Sequence, residues 1–229
     1  MAVVKQTFEN LPKSCDKWEP YLDVYEKHLG RYFYYKPYNI VEVGTQKGGS
    51  LHMWASLFSH PETTITGIDV DPECAKLDYG HDPNIDVVIG DQGDPKFWDE
   101  FLADRPPIHI FIDDGGHFMD QQILTFTKVF PTMPIGSTYI CEDTHTSYMA
   151  YNGGGLEKQG TFIEFAKSMI DFIHVDWWEA KPSATNRETI EALTKDLTSI
   201  HFYDSMVVFE KFGKKEMKRV QPKGFDSAK

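Results

Sequence analysis

Cysteine is scarce in this chain of 229 residues: there are three, at positions 15, 74 and 141, with no C-x-x-C pair. So few, so widely spaced and odd in number, they exclude a disulfide scaffold and a zinc ribbon and point to a reducing compartment. Long apolar runs are also missing. No stretch approaches the ~18 apolar residues of a membrane span, and the opening MAVVKQTFENLPKS lacks an apolar signal core. The expectation is a soluble, cytoplasmic protein with no membrane partner. Basic charge is short, since the formal net charge is −12, and such a surface repels phosphate backbones and excludes general nucleic-acid binding. What basic charge there is gathers at the end. Gly213–Lys229 holds six Lys or Arg against two acids, leaving 17 against 33 elsewhere, and reads as a solvated, partly disordered tail. No internal repeat or low-complexity linker breaks the chain, so one domain over residues 1–229 is expected.

Two nucleotide fingerprints are absent as well. G-x-G-x-x-G fails because Gln46 stands where its second glycine belongs, and no G-x-x-x-x-G-K-[ST] can be placed on these glycines. A nicotinamide oxidoreductase is thereby disfavoured.

What is present is an alternation of strand-like and helix-like runs. NIVEVGT (39–45), TTITGIDV (63–70), IDVVIGD (85–91), IHIFIDD (108–114) and GSTYICED (136–143) are short apolar runs, each stopped by glycine or acids. Helical patterns lie between them: Gly49 to Phe58, a short DPECAKL, DPKFWDEFLA, and a stripe of Met119, Ile123, Phe126 and Phe130. A further helix is expected from about Gly160 to His174. Before the first strand, Trp18, Tyr21, Leu22, Tyr25 and Leu29 mark an amphipathic helix within an N-terminal extension, residues 1–30. This order predicts an α/β fold with a mostly parallel sheet and helices on both faces. SIHFYDSMVVFEKF (199–212), split by Tyr203-Asp204-Ser205, predicts an antiparallel C-terminal hairpin at the sheet edge.

Ligands of open α/β sheets collect beyond the C-terminal strand ends. The first end, Glu42-Val-Gly44-Thr45-Gln-Lys-Gly48-Gly49-Ser50, puts an acid where a phosphate would be opposed and an ammonium group favoured. Glu42, Gly44, Thr45 and Ser50 are its candidate contacts. Asp69, ending the second strand, can accept both hydroxyls of a ribose. Asp91 and Gln92, after the third, offer an acid and an amide to an adenine edge. Amino acid, ribose and adenine together describe S-adenosylmethionine.

The fourth and fifth strands should be neighbours, and they end in Asp113-Asp114-Gly-Gly-His117 and Glu142-Asp143-Thr-His145. Four carboxylates and two imidazoles then converge, a conflict that a bound cation removes. Oxygen-rich donors with no thiolate facing them favour Mg²⁺, or Ca²⁺ or Mn²⁺ in its place, over zinc. Asp113 and Asp114 should point to opposite sides, one to the metal, the other to the cofactor or to a helix cap. Gly115 and Gly116 permit a sharp turn that returns His117 toward Asp114. An alternative on the same residues is a triad of Asp114, His117 and His145 holding Fe(II) for oxygen chemistry, which leaves Glu142 and Asp143 unexplained. The loop Thr146–Gly155, carrying Tyr148 and Tyr151, reads as a lid beside His145, and Trp177 and Trp178 as acceptor-pocket or core residues.

VEVGTQKGGSLHMW, GIDVDP, GDQGDP, IDDGGH and EDTHTSY, in that order, resemble the metal-dependent sugar O-methyltransferases of macrolide and related antibiotic pathways, mycinamicin-type and rhamnosyl enzymes among them, with cephalosporin hydroxylase-like relatives. The likeness runs from about Trp18 to Phe212, and DDGGH and EDTHTSY are its most specific parts. It implies a Rossmann-like class I methyltransferase sheet, with Asp114, Glu142 and Asp143 holding Mg²⁺ and His117 as general base. Asp113 stays a candidate cofactor contact from its place at the strand end, with a helix cap left open. Gly116 stands where serine is frequent, and the antibiotic enzymes carry additional N-terminal sequence. The implied reaction is methyl transfer from S-adenosylmethionine to a sugar or other vicinal-diol hydroxyl of a small-molecule or glycan acceptor. A homo-oligomer is left open, as are an Fe(II) oxygenase and a non-catalytic binding module on the same scaffold.

Overall fold

The computed structural model describes residues 2–80, 82, 84–179, 193 and 195–220. Five parallel strands, β1 (Asn39–Val43), β2 (Thr64–Asp69), β3 (Ile85–Ile89), β4 (Ile110–Asp113) and β5 (Ser137–Cys141), are joined by a terminal pair, β6 (Ser199–Tyr203) and β7 (Met206–Lys211). The spatial order is β3-β2-β1-β4-β5-β7-β6. β7 runs antiparallel to β5 and to β6, so the expected hairpin closes one edge. Strand order reverses between β1 and β4, and a crevice opens at such a switch point.

Each strand sends alternate residues to two cores. Ile40, Ile110, Ile112, Ile140 and Val208 pack beneath α1 (Val3–Glu9), α2 (Glu19–Leu29) and α3 (Gly49–Leu57). Val41, Phe111, Tyr139, Val207 and Phe209 meet α4 (Pro95–Ala103), α5 (Met119–Val129) and α6 (Phe162–Ile173) on the other face. α6 falls inside the expected span, opened by Thr161 accepting from the Glu164 amide. DPECAKL forms a 3₁₀ turn, Pro72–Lys76, capped by Asp71.

Two expectations about side-chain placement change. Trp18 is not part of the buried stripe; it precedes α2 and is 61% exposed. Trp177 and Trp178 lie beyond the C-terminal end of α6, Trp177 exposed and Trp178 against Phe172. The expected basic tail falls partly on residues 221–229, outside the described residues. Among the described residues no helix is long and apolar enough to cross a membrane.

Candidate active site

Register fixes the centre of the site. Val43 pairs with Asp113, and Asp113 with Cys141. The ladder continues one step, with the Asp114 amide donating to Val43 O at 3.0 Å and the Glu142 amide to Asp113 O at 2.9 Å. Gly44, Asp114 and Glu142 therefore stand side by side at the switch point. Gly44 must be glycine, since its φ is +98° and a Cβ there would come within 1.9 Å of the Asp114 carbonyl oxygen. A cleft of about 560 Å³ opens here, bounded by the loops after β1 to β5 and by the segment before α2.

Alternation then decides which carboxylates meet. Glu42, Asp114 and Glu142 share the parity of Ile40, Ile112 and Ile140 and face α2 and α3. In their midst lies the Lys17 ammonium, 2.6 Å from Asp114 Oδ2, 3.0 Å from Glu142 Oε2 and 3.2 Å from Glu42 Oε1. Glu42 also accepts from Ser50 Oγ at 2.6 Å and Trp54 Nε1 at 3.0 Å, so Glu42 and Ser50 are bound to each other. Burial alone would depress the Lys17 ammonium, but Asp114, Glu142 and Glu42 hold it well above its usual range. Burial, reinforced by the Asp114 charge, pushes the Glu142 carboxyl well up.

Asp113 has the opposite parity. It is fully buried, accepting from Gln92 Nε2 and from Tyr139 Oη at 3.1 Å. Burial pushes its carboxyl up to about 7 against those two hydrogen bonds. It does not cap α5, whose N-cap is Phe118; it anchors Gln92 from behind the cleft. The other end of the Gln92 amide accepts from the Gly116 amide at 3.0 Å, so Gln92 ties the third strand end to the fourth.

The same alternation would separate Asp143 from Glu142, but Asp143 has φ +52° and turns back. Its Oδ1 accepts from Tyr21 Oη at 2.7 Å, and its Oδ2 lies 3.5 Å from His117 Nε2. His117 Nε2 is also 3.9 Å from Asp114 Oδ1, and its Nδ1 is buried without a partner. The turn after β4 differs from expectation. Gly115 and Gly116 have ordinary φ, and the left-handed residue is His117 itself, at +57°. The glycines instead admit neighbours, since a Cβ would meet Gln92 Oε1 at 2.3 Å from Gly115 and Gln121 Oε1 at 2.2 Å from Gly116.

The remaining candidates divide. Asp69 and Asp91 border the cleft, where Asp69 already accepts from the Gln46 amide at 2.8 Å and Asp91 from the Gly93 amide at 2.7 Å. Thr45 turns its hydroxyl inward, where it finds no hydrogen-bond partner. His145 Nδ1 hydrogen-bonds Ser205 Oγ. Asp114, His117 and His145 do not assemble; among the described residues the metal-capable groups at these strand ends are Glu42–Asp114–Glu142 and Asp114–His117–Asp143. Tyr148 and Tyr151 are exposed on the loop after β5, which is tied to the turn by Asn152 Nδ2 donating to the His117 carbonyl at 3.3 Å.

Three contributors escaped sequence reasoning: Lys17, Tyr21 and Tyr25, spaced four apart. Tyr25 donates to Glu142 Oε1. The two tyrosines are legible as a helical stripe, but their hydroxyls are not legible as ligands. Nothing in SCDKW marks Lys17.

No family model matches this sequence. Among characterised proteins it is 29% identical over 211 residues to 8-demethyl-8-alpha-L-rhamnosyl tetracenomycin-C 2'-O-methyltransferase of Streptomyces olivaceus, covering 88% of this chain and 53% of the relative. It is 29% identical over 167 residues to demethylmacrocin O-methyltransferase of Streptomyces fradiae, covering 72% and 40%. Both relatives are O-methyltransferases by name, the first of a rhamnosyl-bearing compound. A solved structure of the MycE methyltransferase of the mycinamycin biosynthetic pathway, with Mg and SAH, superposes with a TM-score of 0.74 at 26% identity, covering 93% of this chain and 54% of that one. A second MycE structure, with Mg, SAH and mycinamycin VI, gives 0.73. This chain spans about half the length, or less, of the O-methyltransferases it matches. The Rossmann-like methyltransferase sheet expected from its motifs is the fold observed.

Proposed function

We propose that this chain is an S-adenosylmethionine-dependent O-methyltransferase acting on a sugar or other vicinal-diol hydroxyl, with Mg²⁺ as its metal. The observation that carries this reading is a carboxylate cluster at the cleft that holds more acids than its one ammonium, Lys17, can balance. Lys17 Nζ lies within hydrogen-bond distance of Asp114 and Glu142, two of the three expected metal ligands. Glu42, Asp114, Glu142 and Asp143 together outnumber that single ammonium, which leaves negative charge for a further cation, and their donors are oxygens, as Mg²⁺ prefers. Asp114, Glu142 and Asp143 are the residues that would hold the ion. When bound, Mg²⁺ supplies a Lewis acid that lowers the pKa of a coordinated hydroxyl and orients a diol.

The rest of the chemistry belongs to the chain. His117 Nε2 faces Asp114 and Asp143 at the cleft, placed to take the acceptor proton as general base. Asp143 stabilises the imidazolium that results. Asp69 and the loop from Gly44 to Ser50 wall the cofactor side of the cleft, and in-line attack of the acceptor oxygen on the sulfonium methyl depends on how well both are positioned. The loop Thr146–Gly155 borders a shallow second groove with Phe118, Met119 and Ile123, which suits the apolar part of a glycosylated acceptor.

The Fe(II) oxygenase reading is not favoured, because His145 is engaged with Ser205 and does not join Asp114 and His117. Incubation with S-adenosylmethionine, Mg²⁺ and a panel of glycosides under anaerobic conditions tests the choice. Methylated product supports the proposal; turnover that requires oxygen and no sulfonium contradicts it.

A further inference from the structure

We infer that Lys17 is a permanent cation of this site, a positioning residue that the divalent ion joins rather than displaces; this rests on the metal reading above. The cluster has two chambers that share Asp114. In the inner one, the side chains of Lys17, Glu42 and Glu142 are 2%, 0% and 0% exposed. The three N–H donors of the ammonium meet three carboxylates, at 2.6, 3.0 and 3.2 Å, so none is left over. The outer chamber holds Asp114 Oδ1 and Asp143 Oδ2, on side chains 20% and 22% exposed at the cleft, with the base His117 facing both. Among the described residues no Lys or Arg pairs with Asp143.

Charge and packing point the same way. Four carboxylates, Glu42, Asp114, Glu142 and Asp143, face one ammonium, and a divalent ion that expelled Lys17 would leave the buried Glu42 with no cation of the chain beside it. Breaking a buried ion pair by removing one partner is strongly destabilising. Adding the ion while keeping Lys17 brings the count closest to neutrality. The segment before α2 is also tightly seated. It crosses the first turn of α3 at Gly49, where a Cβ would lie 2.2 Å from the Ser14 carbonyl oxygen. Tyr21 and Tyr25 then grip Asp143 and Glu142 from the same side. By holding Asp114 through Oδ2, Lys17 presents Oδ1 toward His117, and so sets where an acceptor oxygen must lie.

The test uses the whole protein with Mn²⁺ as probe, binding followed by electron paramagnetic resonance and lysine exposure by amine-reactive labelling with peptide mass spectrometry. Lys17 is expected to stay unreactive both before and at Mn²⁺ saturation, while the exposed Lys215 is modified throughout. A Lys17→Met variant should lose about 10²-fold in kcat per folded molecule, through misplacement of Asp114, with KM for S-adenosylmethionine nearly unchanged; Lys17→Arg should recover part of that loss. Labelling of Lys17 on Mn²⁺ saturation would mean exchange, and would overturn this inference while leaving the metal reading intact. An unchanged kcat in Lys17→Met would overturn it too. A wild-type protein that binds no Mn²⁺ overturns both.

Discussion

His117, Asp143 and Gln46 all have left-handed backbone, with φ of +57°, +52° and +47°. Non-glycine residues held there cost about 1–3 kcal/mol each and persist where the surroundings over-determine them. His117 is fixed by the Asn152 bond to its carbonyl and by the packing of Gly116 on Gln121. His117→Gln should lower kcat by about 10²–10⁴-fold, the usual weight of a general base, while calorimetry finds S-adenosylmethionine affinity unchanged. Asp113 makes a different prediction. Its folded pKa, about 7, lies above the ~3.9 of an unfolded aspartate. Its stability contribution is therefore complete below ~3.9, declines as pH rises toward 7, and is lost above it. Asp113→Asn should flatten that slope in denaturant melts between pH 4 and 8. The acids at the strand ends were legible in the sequence because strand ends can be located from apolar runs. Lys17 was not: its partners lie 25, 97 and 125 residues away, and no local pattern encodes such a meeting.

Among the secondary-structure elements, α2 departs most from its sequence reading. Its stripe reads as apolar packing, and Tyr21, Leu22, Tyr25 and Leu29 are indeed buried. The same face also carries a polar column, from Tyr21 and Tyr25 at the site to His28 at the far end. There His28 Nδ1 lies 2.9 Å from Glu210 Oε1 on β7, and Arg31 and Ser199 also bind that carboxylate. Burial opposes ionisation of Glu210, yet the His28 and Ser199 hydrogen bonds and the Arg31 guanidinium hold its carboxyl well below the usual range. A depressed carboxylate stabilises above its unfolded pKa, ~4.3, and the contribution is lost as pH falls through the folded value. Glu210→Gln should thus cost about 2 kcal/mol at pH 7, read by urea melts, with the gap to wild type closing in acid. The β6–β7 hairpin was legible because Tyr203-Asp204-Ser205 interrupts two apolar runs. The seven-residue α1 was not, being too short for periodicity to reveal.

For the whole molecule, the switch point between β1 and β4 explains why five separate motifs become one site. The sheet order places their loops around a single cleft, and the segment before α2 closes one wall with the chain's own cation. In the metal-free protein burial and the Asp114 charge push the Glu142 carboxyl up, with Lys17 opposing them, so divalent-ion binding should release protons and tighten as pH rises; calorimetry in buffers of different ionisation enthalpy would show this. The most direct measurement of the central claim is methyl transfer from S-adenosylmethionine to a panel of vicinal-diol glycosides, followed by mass spectrometry, with Mg²⁺, after chelation by EDTA, and after Mg²⁺ is restored. The account predicts a singly methylated product that disappears with EDTA and returns with Mg²⁺. Methylation that persists undiminished through chelation, or no methylated glycoside under any of the three conditions, would contradict it.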